Sequence, residues 1–492
     1  MCGIAGVIDF STSFKIDEEL LRQMAAPMQF RGPDQEGYYT HSADSVSFGF
    51  SHKRLSIIDL SETGRQPMVS ASGELVITYN GEIYNYRKIK AKLQSEGVSF
   101  KGNSDTEVIL AGYQLWGIEK ILDALEGMFA FALYDGNSNN FYLARDRFGE
   151  KPLYYYRTQN ALAFSSDIRS FKPLNINLTL DEHAVGYFFS ELCTPTEDSI
   201  YKEIKKLAPA NYINLNKDGL EIRPYWNLSY KNKISISDFE AINQTETLLE
   251  DSVKLRLTSD VPVGCFLSGG LDSSLISLLA ARNYGKKIKT ISVGFEHETY
   301  NELPYAKQVA QLIESDHHEI IITAKDLNVV ESLIEEFGEP FADSSAIPTY
   351  YVSKFAAESL KVVLGGDAGD EVFAGYKTYN QGFRMQQWHN ARVFKKLVTV
   401  AGKIGYADKA AYLKGIMEMN PEVIATALYR NLGFSSVDLK KLLPVQNSYN
   451  APALEHKTAI LNAIDNCNDV FDVLLHSSIR TRLCNDYFVK TD

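Results

Sequence analysis

From Met1 to Leu215, short apolar runs are separated by turns rich in Gly, Asn and Asp. Val46 to Ser51, Glu74 to Tyr79, Phe129 to Tyr134, Asn140 to Ala144 and Ala161 to Ser165 have the length and make-up of strands. Apolar positions recur at helical spacing in two clear places, Asp17 to Met28 and Thr106 to Leu115, so this half is predicted to be mainly sheet with some helix. The texture changes at Pro209, at the Asn216 to Gly219 turn and along the polar stretch Ser229 to Ser237. Beyond it, Val263 to Leu267, Lys289 to Phe295, His318 to Ile322 and Lys361 to Leu364 read as short strands alternating with helices, the pattern of a doubly wound parallel sheet. After Tyr376 the strand signals give way to helical segments such as Pro421 to Leu432. The predicted division is a first domain over 1–215, a linker over 216–236 and a second domain over 237–492.

Composition narrows the function. A chain of 492 residues exceeds what one core usually serves, so two domains are expected. With 45% hydrophobic and 23% charged residues it can bury substantial cores, which excludes global disorder. A formal charge of -12 repels nucleic acid and anionic lipid, leaving room only for a small local anion site. The N-terminus has no basic stretch ahead of a long apolar run, and no window approaches the ~20 apolar residues of a membrane span, so a cytoplasmic location is expected. Cys2, Cys193, Cys265, Cys467 and Cys484 form no C-x-x-C pair and are odd in number, which argues against a disulfide framework or a zinc site.

Cys2 alone stands somewhere unusual. Removal of Met1 would make it the N-terminal residue, with thiol and free amine on one residue. An α-amine titrates near ~7.7 to 8.0, so it can act as general base for its own thiol. Downstream lie Arg31-Gly32-Pro33-Asp34, His52-Lys53-Arg54-Leu55-Ser56, Tyr79-Asn80-Gly81-Glu82-Ile83-Tyr84-Asn85 and Ser104-Asp105-Thr106-Glu107, the last read as a helix-opening capping box. Singly, each has a structural job, such as a turn or a hairpin. Together they supply what hydrolysis of a side-chain amide needs: a thiolate, an Asn amide with a Gly N–H for an oxyanion, an Arg for an α-carboxylate and an acid for an α-ammonium.

These motifs, with Arg145-Asp146-Arg147-Phe148-Gly149-Glu150-Lys151, in this order and spacing, resemble the class II glutamine amidotransferase domain, an N-terminal nucleophile hydrolase. The resemblance implies a four-layer αββα sandwich. It makes Cys2 the nucleophile and Arg54 the carboxylate clamp, puts Asn80 and Gly81 in the oxyanion hole, and gives Glu82 and Asp105 the glutamine ammonium. For Arg145 to Lys151 two readings stand equally: a charged turn held by ion pairs, or a direct part in passing ammonia.

In the second half, the strand ending at Leu267 runs into Ser268-Gly269-Gly270-Leu271-Asp272-Ser273-Ser274 and then an apolar helix. Loop N–H groups and a helix N-terminus there face any anion, and the glycines let it approach. No Lys follows in the G-K-[ST] form, so this is not a Walker A loop. The string resembles the pyrophosphate loop of ATP pyrophosphatases, which cleave ATP to AMP and pyrophosphate. Asp272 beside phosphate implies Mg²⁺. Val293 and its neighbours would offer backbone groups to an adenine. Gly365-Gly366-Asp367-Ala368-Gly369-Asp370-Glu371 places three acids on a glycine-rich turn at a strand's carboxyl end. By resemblance, Asp367 would help deprotonate attacking ammonia and Asp370 would serve the acceptor or the magnesium. Glu339 to Asp343, with Ser344 and Ser345, matches an acceptor-side loop.

Both halves resemble glutamine-hydrolysing asparagine synthetase. The implied substrates are glutamine, ATP with Mg²⁺, and aspartate or another carboxylate such as a sugar acid. Neither nucleic acid nor membrane is a partner, and a homodimer is compatible with the resemblance. The family patterns K-x-D-R-x-[ST]-M and E-x-R-x-P-F-L-D are not found before the sequence stops at Val489-Lys490-Thr491-Asp492, so the second domain is expected to be C-terminally incomplete. Without the basic residue of that segment adenylation should be slow, which leaves two alternatives: a complete synthetase, or a glutaminase joined to a nucleotide-binding half it no longer serves.

Overall fold

The computed structural model describes residues 1–11, 14–43, 46–297, 301–390, 433–434 and 469–492. The first half is built on two six-stranded antiparallel sheets. In one, Gly3–Asp9 lies between Val46–Arg54 and Ala161–Ser165. Gln35–Ala43 extends it on one side, Tyr154–Arg157 and Ile204–Lys206 on the other. The other runs in the order Gly219–Pro224, Asn211–Asn216, Asn140–Arg145, Gly127–Asp135, Leu75–Ile83, Met68–Val69.

Alternating side chains give each sheet two faces to cover. Ile4, Ile8, Phe48, Phe50 and Phe164 of the first sheet meet Val76, Ala132, Phe141, Leu143 and Ile213 of the second in one buried core. The outer face of the first is closed by the helix Glu18–Ala25, whose Met24 and Ala25 pack near Ala5, Val7 and Ala163. Tyr86–Ser95 and Asp105–Trp116 close the other, setting Ile89, Leu93, Val108 and Ile109 against Ile77, Phe131 and Leu133. This is the expected αββα layering. Every residue of Gly3–Asp9 is buried, so Cys2 stands at the mouth of a central strand.

Two expectations need correcting. Besides the two anticipated helices, this half contains Tyr86–Ser95, Ile118–Ala124 and Glu182–Glu191, short elements whose apolar stripes span few turns. Part of the stretch read as linker is sheet: Gly219–Pro224 pairs residue for residue with Asn211–Asn216, so the Asn216 to Gly219 turn closes a hairpin. As an edge strand that is mostly exposed, it carries no buried face for a hydrophobic pattern to mark.

The second half holds a four-stranded parallel sheet in the order Asp316–Ile322, Lys289–Phe295, Val263–Phe266, Val362–Leu364. Asp238–Arg256 and Leu271–Asn283 cover one face, with Val253, Leu279 and Ala280 around Cys265. Ala346–Ala357 covers the other, packing Val352 and Ala356 on Ile291 and Phe266. The order runs outward in both directions from Val263–Phe266, so the loops leaving this strand and Val362–Leu364 diverge at their carboxyl ends, the switch point where such sheets bind ligands. The helical reading of Pro421 to Leu432, and Cys467, lie outside the described residues. The helix Val470–Ser478, a π-helical stretch Ile479–Tyr487 and the short helix Phe488–Thr491 bring the last described segment back to that switch point. Among the described residues no helix is long and apolar enough to cross a membrane.

Candidate active sites

Cys2, Arg54, Asn80, Gly81, Glu82 and Asp105, predicted from scattered motifs, line one pocket between the ends of the two sheets. The Cys2 Sγ accepts a hydrogen bond from the Leu55 backbone N–H at 3.4 Å. Burial pushes the thiol's pKa up, and the positive N-terminus pulls against that. Met1 lines the same pocket, and burial lowers its α-amine to about 6. An amine freed on Cys2 would enter the same surroundings and stand ready to accept the thiol proton.

Asn80 is fully buried, and among the described residues neither atom of its side-chain amide has a hydrogen-bond partner. Buried amides are normally satisfied, so this one is poised for a ligand oxygen. A side chain on Gly81 would put its Cβ 2.1 Å from the Met128 carbonyl oxygen, so only glycine fits there. Arg54 is held by donating Nη1 to Gln35 Oε1 at 2.8 Å and Nη2 to the Asp59 carbonyl at 2.6 Å. Burial, then the nearby Asp105 charge, raise Glu82 to about 7. Asp105 accepts from the Tyr79 hydroxyl at 2.8 Å and the Ile83 N–H at 3.0 Å, although burial raises its pKa. Two acids thus share one buried end of the pocket, a setting that favours a bound cation.

The predicted capping box is half formed. Ser104 Oγ accepts from the Thr106 N–H at 3.1 Å, but Glu107 turns to the preceding loop, accepting from the Lys101 and Gly102 N–H groups at 2.7 and 2.9 Å. The Arg145 to Lys151 turn is held by the backbone rather than by ion pairs within itself. Arg145 donates to the carbonyls of Lys151, Leu207 and Gly149, and Asp146 accepts from the N–H groups of Phe148, Glu150 and Lys151.

At the switch point of the parallel sheet a second pocket is lined by Ser268, Gly270, Asp272, Ser273, Gly365, Gly366, Asp367 and Asp370. Leu267, Gly269 and Val293 are not among its lining residues. Leu267 donates its N–H to the Ile291 carbonyl at 2.9 Å, and its own carbonyl accepts from the Ser292 hydroxyl. Gly269 has φ +84°, a left-handed conformation that favours glycine, and a Cβ there would lie 2.6 Å from the Ala306 nitrogen. The loop is tied by Ser268 and Ser273, whose hydroxyls lie 2.9 Å apart. A Cβ on Gly366 would stand 2.6 Å from the Ser273 nitrogen, so the two signature loops pack backbone to backbone.

Asp272 has its pKa raised by burial and by the Asp370 charge. Two facing carboxylates at a glycine-rich anion loop fit a hard divalent cation shared with phosphates. Among the described residues no group of three or more His, Cys, Asp or Glu is placed to hold a metal ion.

The expectation that this pocket lacks a basic residue is not met. Lys490 lines it, donating Nζ to Asp343 Oδ2 at 2.9 Å and Ser345 Oγ at 2.7 Å. Lys490-Thr491-Asp492 itself satisfies the K-x-D opening of the family pattern. Glu371, one of the three acids of the glycine-rich turn, accepts from the Tyr376 hydroxyl at 2.6 Å, and that hydroxyl lies 2.9 Å from the hydroxyl of Tyr487, a residue of the pocket wall that no sequence motif marks. The aromatic spacing around Tyr487 carries no signal for this role, because a π-helical turn sets its direction.

An N-terminal cysteine site on an αββα sandwich, joined to a nucleotide-type loop on a parallel sheet, defines a two-site amidotransferase. The glutamine amidotransferase domain family matches residues 1–226 and the asparagine synthase family residues 244–441. A putative asparagine synthetase (glutamine-hydrolyzing) 2 of Methanocaldococcus jannaschii is 35% identical, the match covering 100% of this chain and 97% of that protein. Asparagine synthetase (glutamine-hydrolyzing) 1 of Bacillus subtilis is 32% identical over 100% of this chain and 77% of its own length. Asparagine synthetase B of Escherichia coli is 32% identical over 85% and 72%. The chain belongs to the glutamine-hydrolysing asparagine synthetase family, and it is a carbon–nitrogen ligase.

Proposed function

We propose that this chain hydrolyses glutamine at Cys2 and uses the released ammonia, with MgATP, to convert aspartate to asparagine, forming glutamate, AMP and pyrophosphate. What carries this reading is the pairing in one chain of a Cys2 pocket holding an unpartnered buried Asn80 amide with a switch-point pocket holding the Ser268 loop, Asp272, Asp370 and Lys490. Arg54 would receive the glutamine α-carboxylate and Glu82 with Asp105 its ammonium. That places the side-chain amide carbon at Cys2. The amine takes the thiol proton, the thiolate attacks, and the Asn80 amide with the Gly81 N–H holds the oxyanion. Ammonia leaves, and water releases glutamate from the thioester.

In the second pocket a carboxylate acceptor must gain a leaving group before ammonia can displace it, which adenylation provides. The Ser268 loop and the start of Leu271–Asn283 offer N–H groups to the pyrophosphate. Asp272 and Asp370 would hold magnesium, which when bound neutralises phosphate charge. Lys490 adds a positive charge on the same side, and Asp367 takes a proton from the attacking ammonia. A cytoplasmic setting supplies all these substrates.

Incubation with glutamine, MgATP and aspartate should yield asparagine and AMP in equal amounts, with other carboxylates turned over poorly. ADP with orthophosphate as products would contradict the loop reading, and amidation of a sugar acid in preference to aspartate would contradict the acceptor.

A further inference from the structure

The segment that brings Lys490 to the second pocket also reaches the first. Side chains two apart on a helix diverge by about 200° around its axis. Lys490 accordingly faces Asp343 and Ser345, while Asp492 turns into the amidotransferase domain. There Asp492 accepts from Arg31 Nη2 at 2.6 Å through Oδ2 and from Lys151 Nζ at 2.8 Å through Oδ1. The carboxylate and the Lys151 side chain are 6% and 2% exposed. Burial alone would raise the Asp492 pKa, but Arg31 and Lys151 hold it at about 2, so it is ionised. Arg31 also donates Nε to the Cys2 carbonyl at 3.0 Å, and Lys151 lies 3.3 Å from the Met1 sulfur. One carboxylate therefore fixes the cation that holds the Cys2 carbonyl, and it directly follows the short helix that carries the lysine of the ATP pocket.

We propose that Asp492 is a positioning residue that couples occupancy of the ATP pocket to the geometry of the Cys2 nucleophile. Phosphate entering that pocket competes with Asp343 for the Lys490 ammonium. As Lys490 turns to the phosphate, Phe488–Thr491 shifts, Asp492 moves with it, and Arg31 changes its hold on the Cys2 carbonyl. The alternative use of these contacts, a static clamp between domains, would make no difference to how glutamine hydrolysis responds to nucleotide. The proposal rests on the two-site reading above.

Glutamine hydrolysis is to be measured on the full chain with and without MgATP and aspartate, for the unaltered protein, Asp492→Asn and Asp492→Glu, alongside ammonia-supported AMP formation. In the unaltered protein kcat/KM for glutamine should change about fivefold or more on adding MgATP and aspartate, the ordinary size of coupling between sites. Asp492→Asn should shrink that response to below about twofold while still making AMP from ammonia, and Asp492→Glu should restore part of it. A full response in Asp492→Asn, no response in the unaltered protein, or joint loss of both activities in Asp492→Asn would each overturn the coupling role. Absence of ammonia-supported AMP formation in the unaltered protein would instead remove the two-site reading on which it stands.

Discussion

Cys2→Ala is expected to lower glutamine hydrolysis by about three orders of magnitude or more, the scale on which removal of a covalent nucleophile acts. Alanine keeps the Cβ and most of the packing at the mouth of Gly3–Asp9, so the domain should fold. The loss is chemical: with no sulfur beside the Leu55 N–H, the Asn80 amide has no tetrahedral intermediate to stabilise. Amide formation from added ammonia should continue, because the second pocket takes none of its lining from Cys2. Glutaminase and ammonia-supported rates measured on the same preparation decide this. Normal glutamine hydrolysis by Cys2→Ala would remove Cys2 from the mechanism.

Lys490→Met should slow AMP formation by about a hundredfold, since losing one charged contact to a transferring phosphoryl group removes ~3 kcal/mol of transition-state stabilisation. Methionine keeps the unbranched apolar stem of the side chain without its charge and leaves Asp343 free to bond Ser345. Glutamine hydrolysis without nucleotide should persist. Steady-state AMP release with saturating ammonia is the readout, and an unchanged kcat would show that Lys490 serves only to anchor Asp343.

Much of this architecture was legible in the sequence because the relevant elements are short, buried and closed by polar turns. Ala161–Ser165 and Lys289–Phe295 fall where the apolar runs placed them, and the Cys2, Asn80 and Asp105 motifs converge on one pocket although more than a hundred positions separate the first from the last. The edge strand Gly219–Pro224 escaped because its side chains are mostly exposed, so no period of two distinguishes it from a linker. Lys490 is hard to assign from sequence for another reason: one lysine with an Asp two residues on is a weak signal until the fold sets it against Asp343. The trio of Arg31, Lys151 and Asp492 joins residues from three distant stretches of the chain, and nothing local in any of them announces it.

The central claim is that the two pockets perform one reaction, in which a carboxylate is adenylated and ammonia from glutamine displaces AMP. Aspartate labelled with ¹⁸O in its side-chain carboxylate, incubated with glutamine carrying ¹⁵N in the side-chain amide and with MgATP, tests this in a single mass spectrum. The account predicts ¹⁵N in the asparagine amide and one ¹⁸O in the phosphate of AMP. Recovery of ¹⁸O in orthophosphate, or of AMP without label, would contradict it.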